Sequence, residues 1–478
     1  MGKSLDQWVK RIGDESIPVM ETTITQLNRL GVQDDIPVAE YTAIVERDPG
    51  LTVQLLRMCN SQRHGRLGSE ITNVQQALML LGTERIRRLP TELPILEKTL
   101  DILPRQQLLG TFSRAWHAAA QATDWARERR DMTPDEVHAA TLLHFIGEMV
   151  LSLFAPDKVQ EIYTLRNEEH VASAEAQYVV LGFTFDELAL KLASAWKLPQ
   201  LVTDALQQEN AQFPRAYGIM LAVQLVRAGQ YDWFGEKAQA IEMEVAEWLQ
   251  QDLDRVVARA HTLAAEVARD SDMYGAIPAA VRLVRLPPLP REESTQEDAA
   301  DENVVGLCLT PQLDVLKTLF GQLGQAVGKN VEPEKLLAMA TRAMHDGIGL
   351  NRVVFARLND DGRMLVAAKV AGADNDPIFN RFQINLAIPN LFSRLMERPQ
   401  AIWMNDTNRN KYWSLVPVDV QKLLTTNSFF AMSVHVNGKP WGLFYADRHT
   451  SACQLDETSY KYFKTITSQT ARALQRSS

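Results

Sequence analysis

The sequence predicts a protein of more than one domain, with an all-α part followed by an α+β part built on a central antiparallel sheet. Three observations support this prediction. The 478 residues exceed one typical core, because domains average about 150 residues, so we expect two or three. Apolar residues recur at helical spacing up to about residue 285. Two hairpin patterns follow beyond residue 350.

The composition is that of an ordinary globular protein, with 46% hydrophobic and 23% charged residues. It excludes collagen-like, disulfide-scaffold and wholly disordered classes. The net charge of −9 argues against nonspecific nucleic-acid binding, which needs a basic face. Cys59, Cys308 and Cys453 are far apart without a CxxC spacing, so we expect a reducing compartment and no sulfur-rich metal site.

Helix-start signals recur in the first part of the chain. Asp48 precedes a proline, so its carboxylate can accept from the first N–H groups of a helix that we expect to close at Asn60. Thr72 and Gln75 have the spacing of a capping box, and an apolar stripe then runs to Gly82. These signals predict a series of amphipathic helices.

The most apolar stretch, residues 138–155, follows a further helix start at Thr133-Pro134. His144 and Glu148 interrupt it, whereas a membrane span needs roughly 20 mostly apolar residues. We therefore expect a buried central helix. The first residues lack the apolar core of a signal peptide, and we expect a cytoplasmic protein without membrane contact.

A change in composition near residue 286 divides the chain. Three prolines in 287–290 end the helical pattern, and an acidic run almost free of apolar groups follows. A new helix starts at Thr310-Pro311. The predicted parts are a helical domain (1–285, core about 15–220), an acidic linker (286–303), a connecting helix (304–330) and an α+β domain (331–478).

Paired extended runs predict the sheet of the last part. Residues 352–358 and 364–370 flank a turn-forming tetrad. Residues 428–436 and 441–446 flank Asn437-Gly438, which tolerates the positive φ angles of a tight turn. A final amphipathic helix is expected at about 456–475.

Several blocks of the first part resemble the HDOD domain, a helical output domain related to the HD phosphohydrolases. The blocks are Ile17-Pro18, Asp48-Pro49-Gly50-Leu51, residues 55–61 and residues 71–82. This resemblance implies an HD-like helical fold. The helices from about 221 to 285 look like an extension of it.

The resemblance also implies where metal ligands would stand. His117 and His144 match two histidines of the HD metal site, but Phe145 stands in place of the essential Asp. Phe185 stands where a His is frequent, and Val223 occupies the late Asp position. Residues 207–210 (QQEN) stand where a His-His pair is expected. We therefore expect no catalysis, no metal and no cofactor. His117 and His144 are interpreted as buried neutral core residues, with a residual metal or small-ligand pocket as the alternative.

The second part resembles a GAF domain, a fold used for small-molecule sensing and dimerisation. The match includes the closing hairpin through Asn437-Gly438 and the amphipathic helix after it. Cyclic-nucleotide and bilin signatures are not recognisable, and Cys453 is expected to be a free small residue. Four aromatic residues are either a ligand pocket or core: Trp403, Tyr412, Trp413 and Trp441.

The leading hypothesis is a non-catalytic protein of bacterial-type signal transduction, with a regulatory HDOD output domain coupled to a GAF-like sensor or dimerisation domain. The alternative is a metal-dependent HD-type phosphohydrolase of nucleotides or cyclic dinucleotides. A third hypothesis, nucleic-acid binding through Arg85, Arg87, Arg88 and residues 127–130, is weaker because mixed basic groups are usually solvated surface. The partner is an unidentified downstream protein, and the resemblance implies a homodimer through the helices near 311–328 and 456–475.

Overall fold

A computed structural model of the protein describes residues 5–13, 15–32, 36–63, 70–167, 171–270, 273–283, 308–373, 376–449 and 453–475. These residues fall into two compact units. The first takes its residues from 1–163 and 180–300, and the second from 164–179 and 301–478. Residues 164–179 thus group with the second unit, although the sequence predicted them in the helical domain. The predicted linker 286–303 lies outside the described residues.

The part of the chain before residue 284 is helical, as predicted. Its helices are α1 (Leu5–Ile12), α2 (Glu21–Gly31), α3 (Val38–Val45), α4 (Pro49–Arg63), α5 (Val74–Leu81), α6 (Thr83–Glu92), α7 (Leu96–Thr99), α8 (Ile102–Glu128), α9 (Pro134–His144), α10 (Ile146–Phe154), α11 (Pro156–Asn167), α12 (Ser173–Leu181), α13 (Phe185–Ala195), α14 (Gln200–Leu206), α15 (Pro214–Gly229), α16 (Glu236–Leu249) and α17 (Leu253–Arg269).

The fully buried carboxylate of Asp48 joins two parts of the helical unit. One oxygen accepts from the N–H of Leu51 at 3.0 Å, which caps α4 as predicted. The other oxygen accepts from the N–H of Met20 at 2.9 Å, just before α2. At Gly50 a Cβ would lie 2.5 Å from the Pro18 carbonyl oxygen, so only glycine permits this approach. The Ile17-Pro18 and Asp48–Leu51 blocks therefore form one packed junction.

Two of the predicted helix boundaries are wrong. Helix α4 continues past Asn60 to Arg63, and the buried Asn60 amide instead pairs with the N–H and carbonyl of Ile71, both at 3.0 Å. The N-cap of α5 is Asn73, which accepts from the N–H of Gln76 at 2.9 Å. Thr72 is also a capping residue type, so the sequence placed the cap one residue too early.

The apolar stretch predicted as one central helix consists of α9 and α10, with a break at Phe145 (φ −85°, ψ 6°). The segment Pro134–Phe154 is long and apolar enough to cross a membrane, but 89% of its most apolar window is buried inside the protein. This burial is consistent with a core helix of a soluble protein. Phe145, at this break, is the residue that the resemblance to HD enzymes assigns to the Asp position.

The C-terminal part contains a curled six-stranded antiparallel sheet with the strand order β3-β2-β1-β6-β5-β4. Its elements are α18 (Leu313–Ala326), α19 (Pro333–Arg342), β1 (Arg352–Leu358), β2 (Met364–Ala371), α20 (Pro377–Asn380), β3 (Gln383–Asn385), α21 (Leu391–Met396), β4 (Ala401–Met404), α22 (Asp406–Tyr412), α23 (Val418–Leu424), β5 (Phe429–Val436), β6 (Lys439–Asp447) and α24 (Glu457–Leu474). The two predicted hairpins are confirmed as β1–β2 and β5–β6. Asn437 and Gly438 have φ angles of 52° and 78°, as the predicted tight turn requires.

The sheet carries a separate apolar core on each face, because neighbouring residues of a strand point to opposite sides. Phe430 belongs to a core with α18, α19 and α24, whereas Phe429 belongs to a core with α20, α21 and α23. Phe355 and Phe444 belong to the same core as Phe430, and Tyr445 belongs to the same core as Phe429. The longer helices therefore cover one face and the short helices the other.

Cys308 and Cys453 form a disulfide bond in the second unit, with a Cα–Cα distance of 5.3 Å. The expectation that Cys453 is free is wrong. The two residues are 145 positions apart, so no local spacing in the sequence indicated the pairing. Cys59 is a buried thiol outside this disulfide, and its sulfur donates to the carbonyl of Ala77 at 3.8 Å.

Replacing Asp48 tests the junction. Asp48→Ala leaves two buried N–H groups without their acceptor, so we expect a loss of about 2–4 kcal/mol in the free energy of unfolding of the helical unit. Asp101→Ala is the matched control, because Asp101 precedes α8 without a side-chain cap. We expect it to change that free energy by less than about 0.5 kcal/mol. Urea unfolding followed by far-UV circular dichroism measures both, and equal effects would contradict the account of the junction.

Candidate functional site

The HD-type position His117 lies within helix α8 and is buried. Burial lowers the pKa of its imidazole to about 4, so the ring is neutral at pH 7. Its Nε2 lies 3.3 Å from Nε2 of Gln121, one turn along the helix. The Gln121 amide also donates to the carbonyl of Ala260 at 2.9 Å, which holds it in place. Trp233 packs against His117, with ring centroids 5.8 Å apart.

The second histidine, His144, is the last residue of α9 and is also buried. Burial lowers the pKa of this ring to about 4, although the nearby Asp186 carboxylate acts in the opposite direction. Nδ1 of His144 lies 3.9 Å from Oδ1 of Asp186. This Nδ1 atom has no hydrogen-bond partner among the residues that the structure describes.

The other HD-type positions lie at the break between α9 and α10 or on helices that surround these two. Phe145 follows His144 directly, and Phe185 is the first residue of α13. At Gly147 in α10, a Cβ would lie only 2.0 Å from the Phe185 carbonyl oxygen, so the two helix backbones meet there. Val223 is buried on α15, one turn before Arg227.

A guanidinium group occupies this region. Arg227 lies over the ring of Phe145, with its Cζ atom 5.4 Å from the ring centroid. Its Nη2 donates to Oδ1 of Asp186 at 3.1 Å, and both side chains are largely buried. Burial alone would raise the pKa of Asp186, but the charge of Arg227 lowers it below its usual value. Asp186 is therefore ionised, and its charge is paired with that of Arg227.

A second buried ion pair involves the charged residue of the apolar stretch. Glu148 accepts from Arg114 and from the hydroxyl of Tyr163, and it lies 3.3 Å from the hydroxyl of Thr111. Burial acts to lower the pKa of the Arg114 guanidinium, but the Glu148 charge outweighs it and raises this pKa. Both carboxylates near the HD-type positions are thus neutralised by arginines.

Few donor atoms for a metal ion are present among the described side chains at these positions. A hydrolytic metal site needs carboxylates that are free to bind a hard cation. Within the described ranges, no group of three or more His, Cys, Asp or Glu side chains is arranged to hold a metal. Phe145, Phe185 and Val223 carry no donor atoms, and Asp186 is paired with a fixed cation.

The contributions of Arg114, Arg227 and Asp186 to this region were not predicted from the sequence. Arg114, Asp186 and Arg227 come from three different helices, so their pairing depends on helix packing. A signal was present, because Glu148 and Arg227 are charged residues within strongly apolar segments. Such residues are rarely buried unless they are paired.

The four aromatic residues proposed to line a pocket lie in different cores. Trp403 and Trp441 pack against the core with α18, α19 and α24. Tyr412 and Trp413 pack against the core on the other face. Trp403 contacts Phe430 and Tyr460, with ring centroids 5.7 and 5.8 Å apart. The structure therefore does not bring these four side chains together around one cavity.

Residues 17–212 match the family model of the HDOD domain, which confirms the resemblance for this part of the chain. An uncharacterised protein of Treponema pallidum (strain Nichols) is 21% identical over 201 residues, which are 40% of this chain and 37% of that protein. This chain thus spans little over a third of that curated relative.

Several solved structures are similar to parts of this chain, among them two with TM-scores below 0.5. The MmoQ response regulator of Methylococcus capsulatus str. Bath is 20% identical and covers 52% of this chain and 98% of its own, with a TM-score of 0.42. The GAF domain from an Acinetobacter phosphoenolpyruvate-protein phosphotransferase is 13% identical over 34% of this chain and 92% of its own, with a TM-score of 0.26. The HDOD assignment depends on the family model.

A double-mutant cycle tests the Arg227–Asp186 pair. Arg227→Met leaves the Asp186 carboxylate buried without its cation, so we expect it to lower the free energy of unfolding by about 3–5 kcal/mol. Adding Asp186→Asn removes that charge, and we expect the double variant to be more stable than the sum of the single changes predicts, by about 1.5 kcal/mol or more. Chemical denaturation measures all four proteins.

The exposed Lys98–Glu21 pair is the control for this cycle. A cycle of Lys98→Met and Glu21→Gln should show almost no coupling, because exposed ion pairs contribute little. Additive effects at Arg227 and Asp186 would show that the two charges do not depend on each other.

The low pKa of His117 predicts a pH effect on stability. The His117 ring has a pKa near 6.5 in the unfolded state and about 4 in the folded state. As the pH falls, the unfolded state therefore binds a proton before the folded state does, and this favours unfolding. The stability that neutral His117 contributes is complete above pH 6.5 and is lost as the pH falls towards 4. Between pH 7 and pH 5, we expect the free energy of unfolding of His117→Gln to fall by about 2 kcal/mol less than that of the parent. Denaturation at both pH values measures this difference.

Protonation of two carboxyl groups changes the free energy of unfolding in the direction opposite to that of His117. Burial raises the pKa of Asp48 to about 6 and that of Glu46 to about 7. Both are present in the parent and in the His117 variant, so their effect cancels in the comparison. Parallel pH curves for the two proteins would contradict a low pKa for His117.

Proposed function

We propose that this chain is a non-catalytic signalling protein whose HDOD domain acts as an output module. One observation carries the proposal. The Arg227 guanidinium, held by Asp186, lies over Phe145 at the position where an HD enzyme has its metal-binding Asp. A fixed positive charge repels a divalent cation, and the carboxylate that could attract one is already paired. The HDOD assignment of residues 17–212 supports an HD-related signalling role.

The second unit is proposed to be a GAF-like sensor or dimerisation domain. An antiparallel sheet with helices on both faces supports this proposal. A ligand would regulate the output only by binding two arrangements of the protein with different affinities. We propose that the ligand is a small molecule and that the downstream partner is another protein.

We also propose a homodimer through α18 and α24. Leu313 on α18 is 54% exposed, and Phe320 is 36% exposed beside a groove of about 630 Å³ between the two helices. Leu313 and Phe320 are seven residues apart and therefore lie on one face of α18, and a continuous exposed apolar face is typical of a contact with another chain.

Metal content and hydrolysis test the non-catalytic proposal. The full-length chain is incubated with Mn²⁺, desalted and analysed by native mass spectrometry and by elemental analysis. We expect far less than one metal ion per chain and no hydrolysis of nucleotides or cyclic dinucleotides. The same native spectra measure the mass of the assembly and any small molecule that co-purifies.

The double variant His117→Gln/His144→Gln is the control for adventitious metal. Metal bound at one equivalent in the parent and lost in this variant would support the alternative, an HD-type phosphohydrolase, and would overturn the non-catalytic proposal. A monomeric mass at micromolar concentration would overturn the homodimer.

A further inference from the structure

The Cys308–Cys453 disulfide encloses the whole sheet of the second unit. Cys308 lies just before α18, and Cys453 lies between β6 and α24. All six strands, β1 to β6, fall in the 145-residue interval between the two cysteines. The bond therefore connects the segments that lead into the two helices α18 and α24, which pack on the same core.

One side of this disulfide is accessible to solvent. Cys308 is exposed, whereas only 5% of Cys453 is exposed. Because Cys308 is the more exposed of the two residues, we assign the attack of an external thiolate to its sulfur, with Cys453 as the leaving group. Arg448 donates to the carbonyl of Gln454, the residue after Cys453, at 2.6 Å, and this contact fixes the chain beside Cys453.

Noncovalent contacts hold the Cys308 segment in place independently of the bond. The N–H of Gln312 donates to the Asp346 carbonyl at 3.1 Å. Gly349 has a φ of 78°, and a Cβ there would lie 2.3 Å from the Leu309 carbonyl oxygen. Because these contacts do not involve sulfur, reduction leaves the two thiols close together. Proximity of this kind makes re-formation of the bond fast.

We propose that Cys308 and Cys453 are a reversible redox site that exchanges with dithiols and stabilises the second unit when oxidised. In the reducing direction, one thiolate of a dithiol forms a mixed disulfide with Cys308 and Cys453 leaves as a thiolate. The second thiol of the dithiol then attacks this mixed disulfide and releases Cys308. Two electrons and two protons pass to the protein, and the dithiol becomes a cyclic disulfide. This site is independent of whether the HDOD domain is catalytic.

A closed loop of this length restricts the unfolded chain, and this stabilises the folded unit inside it. Since the sheet lies within the loop, oxidation should slow the opening of its strands. Helices outside the loop, such as α8, should not respond. A disulfide in a reducing compartment is usually transient, so a pair with this accessibility would report the redox state there.

Thiol counting in dithiothreitol buffers tests the reversibility. The folded chain is equilibrated at a series of ratios of reduced to cyclic oxidised dithiothreitol, quenched in acid, and alkylated after unfolding. Intact mass then counts the alkylated cysteines. We expect one alkylated cysteine, Cys59, in the oxidising buffers and three in the reducing buffers, with one transition between them. Cys59→Ser should keep this transition, and Cys453→Ser should abolish it.

Hydrogen exchange measures the structural effect. We expect oxidation to slow exchange of the most protected β5 and β6 amides by roughly tenfold or more, with no change in α8. The same comparison in Cys453→Ser should show no response to oxidant. The proposal is overturned if the pair never forms a disulfide, if it resists reduction until the protein unfolds, or if the strands exchange equally in both states.

Discussion

The close contact of two helix backbones at Gly147 determines the arrangement around the HD-type positions. Any Cβ at this residue would collide with the Phe185 carbonyl oxygen, 2.0 Å away. The contact holds α10 against α13, so the first residues of each helix, with Phe145 just before α10, lie near one another. Arg227 can then lie over Phe145 and pair with Asp186 at the same time. A larger residue at 147 would separate the elements that this pairing requires.

The charges around these positions balance without a metal ion. Two buried carboxylates near these positions each pair with a guanidinium: Asp186 pairs with Arg227, and Glu148 pairs with Arg114. The two histidines are neutral because burial lowers their pKa values. Desolvation makes an unpaired charge in such an interior very unfavourable.

Local features were predictable from the sequence, and long-range pairings were not. The Asp48 cap and the Asn437-Gly438 turn follow from residue types a few positions apart, and both are present. The α5 cap was placed one residue early because Thr72 and Asn73 both suit that role. The Arg227–Asp186 pair joins residues 41 positions apart, and the disulfide joins residues 145 apart, so both depend on tertiary packing. Whether the four aromatic residues form a pocket or belong to the core stayed open, because the sequence does not show on which face of the sheet each one packs.

The second unit contains an ion pair of the same kind, which bears on how the first is interpreted. Arg352 pairs with the buried Asp447 through Nε at 3.0 Å and Nη2 at 2.6 Å. Its guanidinium lies over the ring of Phe379, with Cζ 4.0 Å from the centroid. These residues belong to the antiparallel sheet and its flanking helix, outside the residues that match the HDOD model. An arginine–carboxylate pair over a phenylalanine ring therefore occurs in this chain where no HD chemistry is implied. Such buried pairs define geometry more than they add stability, so the pair at Phe145 can be explained as a structural feature without assigning it a step in catalysis.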